Sequence, residues 1–124
     1  MTGNRLPDYL DHILEAASDA RGFTDGMSKD DFLADKRTKS AVVMSLIVIG
    51  EATTKILDRY PAFAARHPEI PWRDMRGMRN RIAHGYFEIN FNVVWDAVQA
   101  ALPDLITRIP TLRDEANRDG ADPS

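Results

Sequence analysis

Between Arg79 and Tyr86 the chain reads Arg-Asn-Arg-Ile-Ala-His-Gly-Tyr, which puts a guanidinium, an amide, an imidazole and a phenol within about two helical turns. No other stretch concentrates reactive side chains in this way. Arg73 and Arg76 lie just upstream, so with Arg79 and Arg81 four arginines precede His84 in a chain whose formal net charge is -3. A histidine that titrates near neutrality can move a proton, and an arginine can stabilise charge developing on a phosphorane. That pair is the minimum equipment for metal-independent cleavage of RNA, in which a ribose 2'-hydroxyl attacks the adjacent phosphate.

Such a reaction wants an acid and a base, and this stretch supplies one histidine. A two-fold homodimer that brings two copies of Arg79, Asn80 and His84 to one cleft would meet the need. Helix geometry sets a second condition. At ~100° per residue, Asn80 and His84 share a face, whereas Arg79 and His84 lie ~140° apart. Convergence of the two requires the helix to end at His84 so that the imidazole can leave the helical track, and Gly85 is placed to end it. Spacing alone favours a plainer role, with His84 capping a helix C-terminus, the arginines forming a solvated face and the Tyr86 ring packed in the core.

Composition narrows the classes. The 124 residues, 44% of them hydrophobic, are enough for one domain with a real core. The absence of cysteine removes disulfides, thiolate metal sites and thiol nucleophiles. His12 and His67 stand without a spaced set of His or carboxylate partners, so both read as surface residues and metal catalysis is disfavoured; no cofactor motif is present. An acidic balance argues against broad wrapping of duplex DNA and limits nucleic-acid contact to a small site, with Arg73, Arg76 and Arg81 as the RNA-binding candidates. The N-terminus has no apolar leader, and the longest apolar run, Ala41–Ile49 with Ser45 inside it, falls far short of the ~20 residues that span a bilayer. The expectation is a soluble, cytoplasmic protein.

The elements that must position the cluster read as helices. Leu6, Tyr9, Leu10, Ile13, Leu14 and Ala17 recur at helical spacing after Pro7, and Gly22 closes the segment. Ser28 and Asp31 have capping-box spacing and would open a short turn through Phe32 and Leu33. From about Asp35 to Tyr60 no proline or turn cluster intervenes, so a β-branched middle that could pass for a strand is read as part of one long helix, apolar almost all round, central to the core or lying in a subunit interface. Asp30, Asp31 and Asp35 are helix-start charges. Gly50 inside the long helix costs ~1 kcal/mol against alanine, which suggests close approach of another backbone. Glu51 beside it could turn toward an arginine of the motif, such as Arg79, as a buried orienting partner, or equally could face solvent.

Three prolines make residues 60–71 a loop with at most one helical turn. Trp72, Met75, Met78 or Arg79, and Ile82 then mark the motif helix, ending at Ala83 or His84. Asn90 would cap a last helix carrying Phe91, Val94, Trp95, Val98, Leu102, Leu105 and Ile109, kinked at Pro103 and stopped at Pro110. Trp72 and Trp95 read as core anchors. The polar segment 113–124 lacks periodicity and is expected to be a flexible tail, leaving one domain over residues 1–112. The fold class is all-α, a four-helix up-down bundle with short extra helices.

The motif Arg79-Asn80-Arg-Ile-Ala-His84-Gly-Tyr86 resembles the R-x4-H-x-Y signature of HepT-like toxins in the HEPN superfamily of ribonucleases. The likeness extends over Leu6 to about Ile109, through Ile49-Gly50-Glu51-Ala52, Ile70-Pro71-Trp72, Val94-Trp95 and Leu102-Pro103. It implies a HEPN-type bundle, Arg79 and His84 as the catalytic pair, Asn80 in support, and a homodimer with its RNA cleft at the interface. It further implies a toxin-antitoxin pair with an MntA-type nucleotidyltransferase antitoxin that adds AMP to the motif tyrosine, Tyr86 here. A bulky anionic nucleotide two residues from His84 would block the cleft and repel RNA phosphate. The competing expectation is a non-catalytic helical partner of a nucleotidyltransferase that presents Tyr86 or a groove to it.

Overall fold

A computed structural model of the chain describes residues 4–119, the side chains of Tyr86 and Asp119 excepted. It is all-helical: α1 (Leu6–Phe23), α2 (Lys29–Ala34), α3 (Lys36–Arg59), α4 (Pro61–Ala65), α5 (Trp72–His84), α6 (Phe91–Asp96) and α7 (Leu102–Asp119), with a 3-10 turn at Tyr86–Glu88 and a π-helical segment at Ala97–Ala101. The long elements form a four-helix bundle in which α1 packs on α3 and α7, and α3 packs on α5. Its centre is filled by Leu6, Leu10, Ile13, Leu46, Ile49, Ile56, Val98 and Ile109, none of them accessible to solvent. Phe32 of α2 plugs one side, its ring 5.4 Å from Trp95 and 6.3 Å from Phe91. Trp72 is buried and Trp95 partly so, as core anchors should be.

Local chemistry explains the boundaries. The Ser28 hydroxyl accepts from Asp31 N while the Asp31 carboxylate accepts from Ser28 N, a reciprocal cap that opens α2. Asp35 opens α3, accepting from both the amide and the hydroxyl of Thr38; those two bonds hold its carboxyl below the usual carboxylate range. The turn after α1 is completed by Gly26, whose φ of 77° few other residues adopt readily. The β-branched middle of α3 is helical because it is the bundle's central helix, lined on one side by α1 and on another by α5. By length and composition α3 would also pass for a membrane span, but half of that stretch is buried against its own protein.

Two expectations for the C-terminal third need correction. Pro110 does not stop the last helix: it lies inside α7, which runs on to Asp119. Residues 113–119 are therefore helix, with Leu112 and Ala116 buried, Arg113 donating to Asp11 at 3.0 Å and Asn4 donating to the Ala116 carbonyl at 3.2 Å. Ile109, Leu112 and Ala116 continue the apolar stripe, and burial of that stripe outweighs the one hydrogen bond a proline removes. Residues 120–124 lie outside the described residues. At Pro103 the adjustment is made upstream. The Leu102 amide donates to Ala97, five residues back, and the loosened coil leaves the Val98 carbonyl within 3.5 Å of the Arg21 guanidinium, which also holds the Gln99 side chain at 2.8 Å.

Candidate active site

α5 begins where Pro71 leads into Trp72, whose indole N–H donates to the carbonyls of Ala64 and His67 at 3.1 and 3.0 Å. Its inner face carries Trp72, Met75 and Ile82, buried against the bundle. Arg79 falls on the side turned toward α3, and there the sequence makes a special provision. A Cβ at Gly50 would overlap the Cβ of Arg79 and lie 2.9 Å from its Cγ and 3.3 Å from its Cα. Only glycine lets α5 sit this close. The close approach expected at Gly50 is thus made by the motif residue itself.

That approach aims the guanidinium along α3 toward the next residue. Arg79 Nε and Nη2 both reach Glu51 Oε1 at 2.5 Å, and Nη1 donates to Asn80 Oδ1 at 2.9 Å. The pairing of Glu51 with Arg79 is as expected, but Glu51 is not buried; its side chain is 46% exposed and that of Arg79 36%. A guanidinium has five N–H donors, so two remain for an anion arriving from solvent. Asn80 therefore holds Arg79 in place as well as sharing the exposed face with His84.

His84 is the last residue of α5, followed by Gly85, whose amide donates to the Arg81 carbonyl at 2.9 Å. Gly85 has a φ of -149°, so the helix stops without a left-handed cap. The imidazole is exposed and makes no hydrogen bond among the described residues. It stands at the rim of a cleft of about 740 Å3 between α5, α3 and the α6–α7 segment. The cleft floor is apolar, from Ile49, Met75, Ile82, Val94 and Leu105, and its rim carries Arg81, Glu88 and Asn90 beside His84. Phe87 and Val93, next to that rim, are among the large hydrophobic residues left exposed.

The other predicted residues are spread around α5. Arg73 and Arg81 are exposed, and Arg76 reaches Asp58 of α3 at 3.6 Å. One chain does not join Arg79 to His84: Arg79 is turned to Glu51, whereas His84 and Arg81 look onto the cleft. The backbone of Tyr86 opens the 3-10 turn two residues past His84; its side chain lies outside the described residues.

One residue was underrated by sequence. His67 is not a surface histidine but is 15% exposed at its side chain, with Glu69 on Nδ1 at 3.0 Å and Glu115 on Nε2 at 2.6 Å. Glu115 belongs to the segment expected to be a tail, which is why spacing offered no partner. His12 is exposed, as expected.

The model of the family described as "Ribonuclease HepT-like" matches residues 13–112 of this chain. A protein of Thermococcus cleftensis named "Probable ribonuclease HepT" is 41% identical over 106 residues, 86% of this chain and 94% of its own. Two proteins provisionally named RNases are also similar. One, from Methanocaldococcus jannaschii, is 40% identical over 101 residues, covering 82% of this chain and 81% of its own; the other, from Caldanaerobacter subterraneus subsp. tengcongensis, is 33% identical over 97 residues, covering 78% and 84%. No solved structure matches the chain. The R-x4-H-x-Y motif, the helical bundle that presents it and these similarities over most of the chain lead to one conclusion: the chain belongs to the ribonuclease HepT-like family.

Proposed function

We propose that this protein is a metal-independent endoribonuclease that works as a homodimer, with Arg79 and His84 as the catalytic pair and Asn80 supporting Arg79. The observation that carries the reading is the contrast along one helix: Arg79 is seated by Gly50 and held by Glu51 and Asn80 with donors to spare, while five residues on His84 is exposed at a cleft. Phosphate meets the arginine donors, with Arg73, Arg76 and Arg81 drawing the RNA strand to the same face. One His84 accepts the 2'-hydroxyl proton as that oxygen bonds to phosphorus, the bond from phosphorus to the 5'-oxygen breaks, and a second imidazolium returns a proton to the leaving oxygen. The products are a 2',3'-cyclic phosphate and a 5'-hydroxyl, with no net change in protons.

A second copy of the chain supplies the second histidine. Exposed Val93 and Phe87 beside the apolar cleft are suited to be covered by it. In this reading the protein is the toxin of a cytoplasmic toxin-antitoxin pair, and a nucleotidyltransferase antitoxin silences it by transferring AMP to the Tyr86 hydroxyl. Cleavage of bulk RNA by the parent, His84→Ala and Arg79→Ala, with toxicity on expression, tests the catalytic assignment. If both variants match the parent, the ribonuclease reading falls and a non-catalytic partner of the nucleotidyltransferase takes its place. Intact-mass analysis of protein co-expressed with its neighbouring gene product tests the off switch: AMP increments are expected on the parent, and their persistence in Tyr86→Phe overturns the choice of tyrosine.

A further inference from the structure

His67 sits in the lead-in to α5, where its backbone and its ring do different jobs. The carbonyl accepts from the Trp72 indole at 3.0 Å and from the Ile70 amide at 3.2 Å, so the residue fixes where α5 starts. The ring lies against Phe63 of α4, 4.7 Å between centroids, and has a carboxylate on each nitrogen: Glu69 from the same loop and Glu115 from α7. Carboxylates only accept, so both nitrogens must carry a proton for both bonds to form. The arrangement is complete only as an imidazolium.

We propose that His67 is a positioning residue for the site helix: as a cation it clamps the start of α5 to α7, and loss of its proton releases that end. The bundle makes the clamp consequential. α5 takes its main packing from α3, and on the side toward α7 the cleft intervenes, so the His67–Glu115 bond ties the α5 lead-in across to the C-terminal helix. Two arginines among the described residues lie around the carboxylates that hold the ring. Arg66, just past the end of α4, reaches Glu115 at 3.7 Å, and the charge of Arg108 in α7 helps hold the Glu69 carboxyl below the usual carboxylate range. Partial burial disfavours the charged imidazole, but the hydrogen bonds and charges of Glu115 and Glu69 outweigh it and hold the pKa above the ordinary histidine value. The ring is not arranged as a metal ligand, since each nitrogen already faces its own carboxylate, and no group of three or more such residues among those described could hold an ion.

The sign follows from linkage. A raised folded-state pKa gives a clamp fully made below the unfolded-state value and lost as pH rises through the folded-state one. The test is histidine-ring NMR titration and amide hydrogen exchange of the parent, His67→Gln and Glu115→Gln, with exchange corrected for its intrinsic pH dependence. The parent's His67 should titrate above free histidine, and Glu115→Gln should move that midpoint down. Across the midpoint, exchange in residues 72–84 should rise roughly tenfold, the scale of one charged hydrogen bond. His67→Gln should exchange at the faster level at every pH, with α1 unchanged. A midpoint at or below that of free histidine, or α5 exchange in His67→Gln equal to the parent's slow value, overturns the clamp. Should His67→Gln fail to fold, Glu115→Ala decides in its place, because it removes the α7 acceptor and leaves Glu69 in place. The role in catalysis rests on the ribonuclease reading: His67→Gln should lower kcat at unchanged KM and flatten the alkaline limb of the rate. A parent that cleaves no RNA defeats that reading, while the exchange measurement still decides the clamp.

Discussion

The two catalytic candidates sit on one helix in opposite surroundings. At the α3–α5 joint, Gly50 removes a side chain so that Arg79 can be seated, and Glu51 and Asn80 complete its cradle. At the end of α5, His84 has the last helical position, an exposed ring and open space beside it. In the proposed reaction, the charge that would have to be pre-aimed is held by packing, and the group that would exchange protons is left accessible. A guanidinium loses much of its value if it has to reorganise during the reaction, whereas an imidazole must reach both substrate and solvent.

The contrast can be broken from either side. His84→Ala should reduce RNA cleavage by about 10²–10⁴-fold, the usual worth of a general acid or base, while the unfolding free energy from urea titration stays within about 0.5 kcal/mol of the parent, because an exposed ring supports nothing. Gly50→Ala should lower stability as well as cleavage: the added methyl meets the base of Arg79, and the overpacking should cost about 1–3 kcal/mol in urea unfolding. Its cleavage loss should follow from a displaced Arg79 and should not be rescued by lowering the temperature alone.

Smaller changes sharpen the same comparison. Glu51→Gln keeps the shape and removes the charge from a pair that is more than a third exposed, so stability should move by less than about 1 kcal/mol. Cleavage should fall roughly tenfold with KM nearly constant, as expected if Glu51 aims Arg79 and does not bind RNA. Val93→Asp should shift the protein from dimer to monomer in sedimentation and reduce cleavage with it, leaving secondary structure intact. The smallest effect belongs to pH. Parent stability should decline as pH rises through the elevated His67 pKa, and the decline should disappear in His67→Gln, measured by thermal unfolding at a series of pH values.

Much of this was written in local patterns. Asn90 caps its helix, accepting from Asn92 N at 3.0 Å, and the α2 capping box forms as spaced. The break at residues 60–71 holds one short helix, as three prolines require. What failed was the reading of Pro110 and the segment after it, where proline and polar composition masked the stripe Ile109, Leu112, Ala116. The same error hid Glu115, and with it the meaning of His67.

Sequence by itself determined which groups are available and where on a helix each must point, because side-chain chemistry and a rotation of ~100° per residue are local properties. It marked Gly50 as a place of close approach. Only the tertiary structure decided that the approaching residue is Arg79, that Glu51 and Asn80 hold it, and that His84 looks onto a cleft. It also turned His67 from a loop residue into a bridge between α5 and α7. Those are facts about helices far apart in the chain, and they are settled by how the buried faces pack against one another, which no local spacing encodes.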